Sequence, residues 1–221
     1  MSVNLKHATV ASLLALSAVW SPMLCAGISH SPASAVHKAS ISRPQLLKTL
    51  LPLIQRQNTQ LLKDRQHIEA IAQHYLQNDD ISEADFNWLK QTAADYQMEP
   101  RQRGDKTFFH DLLVRVDVVP ASLVLAQALL ESGLSSPTNP FGLTDKNFDS
   151  SDAAVAYYFR LLNTDKAYQP FRELRQQTRR KSQKLRGTPL AEGMGRYTPL
   201  GKRYIQKIKT TISVNQLAKL D

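Results

Sequence analysis

Apolar residues recur at helical spacing through most of the chain. From Arg43 onward Leu46, Leu47, Leu50, Leu51, Leu53 and Ile54 form one stripe, and Leu61, Leu62, Ile68, Ile71, Ala72 and Tyr75 form a second. Pro52 has no N–H to give, so it is predicted to bend or break this long segment. Asn78-Asp79-Asp80 should end it. Ser82 with Asp85 three positions later resembles a capping box and opens a helix carrying Phe86, Trp88, Leu89 and Tyr96. An amphipathic helix follows over 106–115, through Phe108, Phe109, Leu112 and Leu113. Later helices are expected behind a Ser150 or Ser151 cap, over 168–184, from Leu190 to about 193–195, and from a Thr198-Pro199 cap toward Leu217. Gly187-Thr188-Pro189 reads as a break between the second and third of these. Only 143–148 can be read as a strand. The pattern describes an all-α protein.

The stretch around which the others are arranged is VPASLVLAQALLESGLSSPTNPFGL. Pro120 suits a first helical turn, and Gly133 is placed to end the helix in a left-handed cap. Leu123, Val124, Leu125, Ala126, Ala128, Leu129 and Leu130 make the helix apolar on nearly every face, the mark of a buried central helix. Gln127 and Glu131 interrupt it and share a face at i,i+4. Poor solvation and the negative end of the helix dipole both favour the protonated form of a carboxyl placed there. Such a group can act as proton donor to a glycosidic oxygen.

Residues 1–26 read as a signal peptide: Lys6 and His7, an apolar run over 8–20, then Ser21, Pro22 and small residues. Residues 27–42 read as a flexible lead-in, 43–104 as an N-terminal helical region and 105–221 as the main domain. The expected location is outside the cytoplasm, periplasmic or secreted. Cys25 is the only cysteine and lies within the leader, which excludes disulfides, a thiol nucleophile and a Cys-based metal site from the mature chain. Net charge is +9, much of it from Arg172, Arg175, Arg179, Arg180, Lys181, Lys184 and Arg186. Such a run is read as a solvated helix face. For an exported chain the fitting partner is an anionic glycan, the peptide carboxylates of the cell wall or a lipid surface, with peptidoglycan or a related glycan preferred, no nucleic acid and no stable membrane insertion after cleavage. Six scattered histidines form no HExxH-type set, and no glycine-rich phosphate loop occurs. No metal or cofactor is expected, and the chain is read as a monomer.

Several ordered motifs resemble those of one family. VDVVPASLVLAQALLES, then NPFGL, then FDSSDAAVAYYFRLLNTDKAYQPFR and the closing GRYTPLGKRYIQKIKTTISVNQLAKLD are similar to Bax-like proteins of the bacterial glucosaminidase (mannosyl-glycoprotein endo-β-N-acetylglucosaminidase-like) domain family, of lysozyme-like fold. LLPLIQRQNTQLLKDRQHIEAIA resembles the helical region preceding that domain. The resemblance implies cleavage of the β-1,4 bond at N-acetylglucosamine in peptidoglycan, with Glu131 as general acid. It further implies that Asn139, Phe141 and Gly142 help form the floor of a glycan groove, and that Tyr197 lies beside the sugar. Tyr158 and Tyr204 match further family tyrosines that serve either substrate or core, and Gln127 stands where it can orient Glu131.

The chain also departs from that pattern. Leu134 replaces a family tryptophan, and the loop before Asn139 is short. The β-rich lobe that usually follows Gly142 is reduced to 143–147, and with it goes the usual second carboxylate. Asp145 is the nearest replacement; Asp149 and Asp152 look like helix caps. Without a second acid, the substrate's own 2-acetamido oxygen can serve as nucleophile, or an internal hydroxyl can attack, as in a lytic transglycosylase. Loss of catalysis would leave a glycan-binding scaffold.

Overall fold

One helix is enclosed by the others. Helix α4 (Ala121–Glu131) packs against α1 (Arg43–Asn78), α7 (Gly187–Leu190), α8 (Lys202–Val214) and the 3-10 turn Leu217–Leu220. Between these lie α2 (Glu83–Asp95), α3 (Lys106–Arg115), α5 (Ser151–Thr164) and α6 (Gln169–Arg180). The structure, a computed structural model, describes residues 42–99, 101–103, 105–131, 136–144 and 146–221. The leader, most of the lead-in, Gly133, Leu134 and Asp145 lie outside the described residues. Those described are helical, with no strand and one isolated bridge between Ser136 and Asn139. The all-α expectation therefore holds, and neither 143–144 nor 146–148 is a strand. None of the described helices is long and apolar enough to cross a membrane.

The expected caps are present where side chains could satisfy free N–H groups. Ser82 accepts from Asp85 N and its hydroxyl donates to the Asp85 carboxylate, at 3.1 and 2.7 Å. Ser150 accepts from Ala153 N. Three helix boundaries differ from those the pattern allowed. Helix α1 is not broken at Pro52. Pro52 is exposed and so is Lys48, whose carbonyl loses its donor, so water can fill the gap. Gly187-Thr188-Pro189 opens α7 rather than breaking a helix, because Gly187 comes against the start of α4. A Cβ there would overlap Ser122 Oγ and lie 2.7 Å from Leu123 N. Helix α8 starts only at Lys202, after Gly201 turns the chain at φ +50°.

Leu123, Val124, Leu125, Ala126 and Ala128 have no exposed surface. Each fully buried Leu or Val contributes about 1.5–3 kcal/mol relative to leaving it in water. Polar groups enclosed with them need partners. At the N-terminal end, Asp221 supplies them: its carboxylate accepts from Ser122 N at 2.9 Å, Ser122 Oγ at 2.7 Å and Gly187 N at 2.9 Å. A carboxylate there also faces the positive end of the helix dipole.

The irregular segment before α4 is buried too, and basic side chains satisfy it. Arg175, 1% exposed, donates to the carbonyls of Val114, Asp117 and Val118 and to Asn163 Oδ1. Asn58 makes a two-way bond with Val119, and Arg65 donates to Leu113 O. The Asp117 carboxylate, 2% exposed, takes a forked contact from Arg179 at 2.7 and 3.1 Å, with Arg65 and Arg175 close by. Arg172 is buried against the Leu162 and Asp165 carbonyls. The basic run is thus not one solvated face: Arg172, Arg175 and in part Arg179 turn inward, while Arg180, Lys181, Lys184 and Arg186 stay exposed.

Burial alone would raise the Asp117 carboxyl, but the Arg175 charge, the Arg179 hydrogen bond and Arg65 outweigh it and hold it below its ordinary value. Burial pulls Arg175 down to about 10, still charged at neutral pH. A carboxyl lowered by folding stabilises the fold above its unfolded pKa and loses that contribution as pH falls through the folded one. Asp117→Asn should therefore cost about 3–5 kcal/mol at neutral pH by leaving buried arginine charge uncompensated. In urea unfolding the gap to wild type should close as pH falls below the ordinary carboxylate range. Asp221→Ala should cost about 1–2 kcal/mol in the same assay, as for loss of an N-cap.

Candidate functional site

Helix α4 leaves the core at its C-terminal end. Its residues are buried through Ala128, and Leu129, Leu130 and Glu131 are partly exposed. Glu131 thus stands at the edge of the packing, as its position at the end of the apolar run implies. Its Oε1 accepts from the Tyr204 hydroxyl at 2.8 Å. Tyr204 in turn accepts from Gln127 Nε2 at 3.3 Å. No ion pair involves Glu131 among the described residues.

Gly142 closes on the other carboxylate oxygen. Its φ is +58°, a conformation L side chains rarely adopt, and an added Cβ would lie 3.3 Å from Glu131 Oε2. The tight backbone there is fixed by Asn139. The Asn139 side chain donates to Leu143 O at 2.9 Å and Lys146 O at 3.3 Å, and accepts from Leu143 N at 3.1 Å. Its backbone N–H bonds Ser136 Oγ, and Ser151 ties Pro137 O to the start of α5. The residue that sequence motifs place in the groove floor is therefore engaged in holding the loop's shape.

Behind the acid lies an aromatic cluster. Tyr197 and Tyr204 stack at 5.4 Å with planes 4° apart, and Phe141 stacks on Tyr158 at 4.2 Å. Tyr158 meets Tyr197 edge-on at 6.3 Å. Tyr197 donates to Phe141 O at 2.7 Å, tying the Gly142 turn to the segment before α8. Burial pushes the Tyr204 hydroxyl up; the Gln127 hydrogen bond works against this and the Glu131 charge adds to it. Burial and then Glu131 push Tyr197 up as well. Both stay protonated donors across the physiological range.

The structure sorts the expected site residues. Glu131, Gln127, Gly142 and, through Phe141 O, Tyr197 come together. Phe141, Tyr158 and Gln127 have no exposed surface, so none can touch a sugar directly. Phe141 and Tyr158 instead form the packed base beneath the turn, and Gln127 reaches Glu131 only through Tyr204. Tyr197 remains partly exposed and can line a ligand. Asp152, near the α5 start, pairs with Arg56 of α1. Sequence periodicity left Tyr158 and Tyr204 both undecided, because a tyrosine at core spacing shows nothing of where its hydroxyl ends; Tyr158 packs in the core and Tyr204 reaches Glu131. Among the described residues no group of His, Cys, Asp and Glu could hold a metal ion.

The chain is distantly homologous to protein Bax of Escherichia coli (strain K12), 28% identical over 179 residues. The similarity covers 72% of this chain and 64% of that protein, so the chain spans less than two thirds of its relative's length. No family model matches the chain. No solved structure matches it.

The Gly142 turn gives a direct check on this geometry. Gly142→Ala should lower stability by about 1–2 kcal/mol, from forcing a side chain into the left-handed region and against Glu131. Urea unfolding measures the loss; an unchanged midpoint would mean that the turn does not close on the acid.

Proposed function

We propose that this chain is an exported glycoside hydrolase of the Bax-like, glucosaminidase-type kind, cutting β-1,4 bonds at N-acetylglucosamine in peptidoglycan, with Glu131 as general acid. The observation that carries the reading is the Glu131 carboxyl. It sits half-buried at the tip of the enclosed helix, anchored by Tyr204 through Oε1, with Oε2 over a residue that has no side chain. The ordered motifs and the distant homology to protein Bax support it. The protein works as a monomer without metal or cofactor, and its exposed basic residues favour an anionic wall polymer.

In the reaction, Glu131 gives its proton to the glycosidic oxygen as the bond from that oxygen to the anomeric carbon breaks. Positive charge develops at the anomeric carbon and is relieved by attack of a nucleophile on the opposite face. The candidates are water activated by a carboxylate such as Asp145, the 2-acetamido oxygen of the substrate, or an internal hydroxyl. Glu131 is left as a carboxylate, and the Tyr204 hydroxyl stabilises that charge.

Purified protein lacking residues 1–26 should release reducing ends from peptidoglycan. Glu131→Gln should cut the rate by about 10²–10⁴-fold while the circular-dichroism spectrum stays unchanged. Mass analysis of the fragments distinguishes a hydrolase from a transglycosylase, whose anhydro ends lack one water. Salt-sensitive wall binding with no product would make the chain a scaffold, and equal rates in wild type and variant would end the catalytic assignment.

A further inference from the structure

Among the described residues, two buried side-chain polar atoms behind Glu131 have no hydrogen-bond partner: Gln127 Oε1 and the Tyr158 hydroxyl. A buried acceptor without a donor is unfavourable, and such groups are rare unless something holds them in place. For Gln127 the reason lies in Tyr204. The tyrosine has one proton, and its best acceptor is the Glu131 carboxylate at 2.8 Å, a charge-assisted bond. The Tyr204 oxygen must then accept, and Gln127 Nε2 is the donor that reaches it. That fixes the amide with its nitrogen toward Tyr204 and its oxygen toward the unpaired side. Turning the amide over would set Oε1 against an oxygen whose proton is already committed.

This order of donors makes the two carboxylate oxygens of Glu131 unequal. A proton on Oε1 would face the Tyr204 O–H unless Tyr204 and Gln127 both reversed inside closed packing, where Gln127 has no exposed surface. A proton on Oε2 disturbs neither. Oε2 is also the oxygen beside Gly142, which brings no side chain of its own against it. We infer that Gln127 and Tyr204 form a positioning relay that holds the Glu131 carboxyl by Oε1 and confines its transferable proton to Oε2. The relay rests on the role proposed for Glu131 and adds to it which oxygen acts, and which residues make it so. Neither Gln127 nor Tyr204 need touch the substrate.

The experiment compares wild type, Tyr204→Phe, Gln127→Leu and the double variant on peptidoglycan, with melting curves for each. Tyr204→Phe keeps the ring that stacks on Tyr197, so the packing survives. Its kcat should fall on the order of 10–100-fold, the loss expected for a hydrogen bond to a charged group, with KM little changed. Gln127→Leu should lower kcat less, and the double variant should be no worse than Tyr204→Phe alone, because both changes break one chain of bonds. Additive losses overturn the relay. So does wild-type kcat in Tyr204→Phe while Glu131→Gln is inactive, or a fall in activity that only tracks the fraction unfolded. A wild type with no Glu131-dependent turnover overturns the proposed function first, and the relay with it.

Discussion

A helix surrounded by protein on every side makes a demand on its neighbours: the polar groups it carries inward need partners on other elements, or, like Gln127 Oε1 among the described atoms, stay unpaired at a cost. Helix α4 is such a helix, and the irregular stretch leading into it is buried with it. Water cannot serve those N–H and C=O groups, so side chains far away in sequence do. Asn58 and Arg65 reach in from α1, Asn163 from α5, Arg175 from α6, and Asp221 from beyond α8. These five polar side chains serve α4 and the segment that leads into it. Burial makes each of these contacts costly to break, since an orphaned buried group loses its solvation as well as its bond.

The candidate site follows from the same demand made at the other end. Where α4 leaves the packing, Gln127 is still enclosed and Glu131 is not quite free. Tyr204 serves both, accepting from one and donating to the other. Asn139 and Tyr197 then fix the turn that brings Gly142 against the acid. An ordered carboxyl at a boundary between core and solvent is what proton transfer requires, because its orientation is settled before any ligand arrives.

The sequence made some of this legible. The unbroken apolar run of α4 marked it as central, and the position of Glu131 at its end marked the acid. Ser82 and Ser150 marked helix starts through a local pattern that needs no tertiary knowledge. What could not be read depended on partners distant in sequence. Arg172 and Arg175 look like members of a solvated basic face, since spacing alone cannot tell water from a buried backbone carbonyl. Asn139 sits in a recognisable motif, but its three side-chain bonds to 143–146 belong to a loop with no periodicity. Tyr204 and Tyr158 occupy equivalent core positions in the helical pattern. Only the path of the hydroxyl separates an anchor for the acid from a packing residue with an unpaired oxygen.

The two attachments of α4 lie 99 and 73 positions away from the residues they hold, at Asp221 and Tyr204. Contacts so remote along the chain close slowly, after nearer ones have formed. As the polypeptide is synthesised, Glu131 emerges long before the tyrosine that orients it. Through that interval the nascent chain carries the acid without its mounting, and a wall-cutting activity of the kind proposed would stay dormant until the C-terminal third had docked.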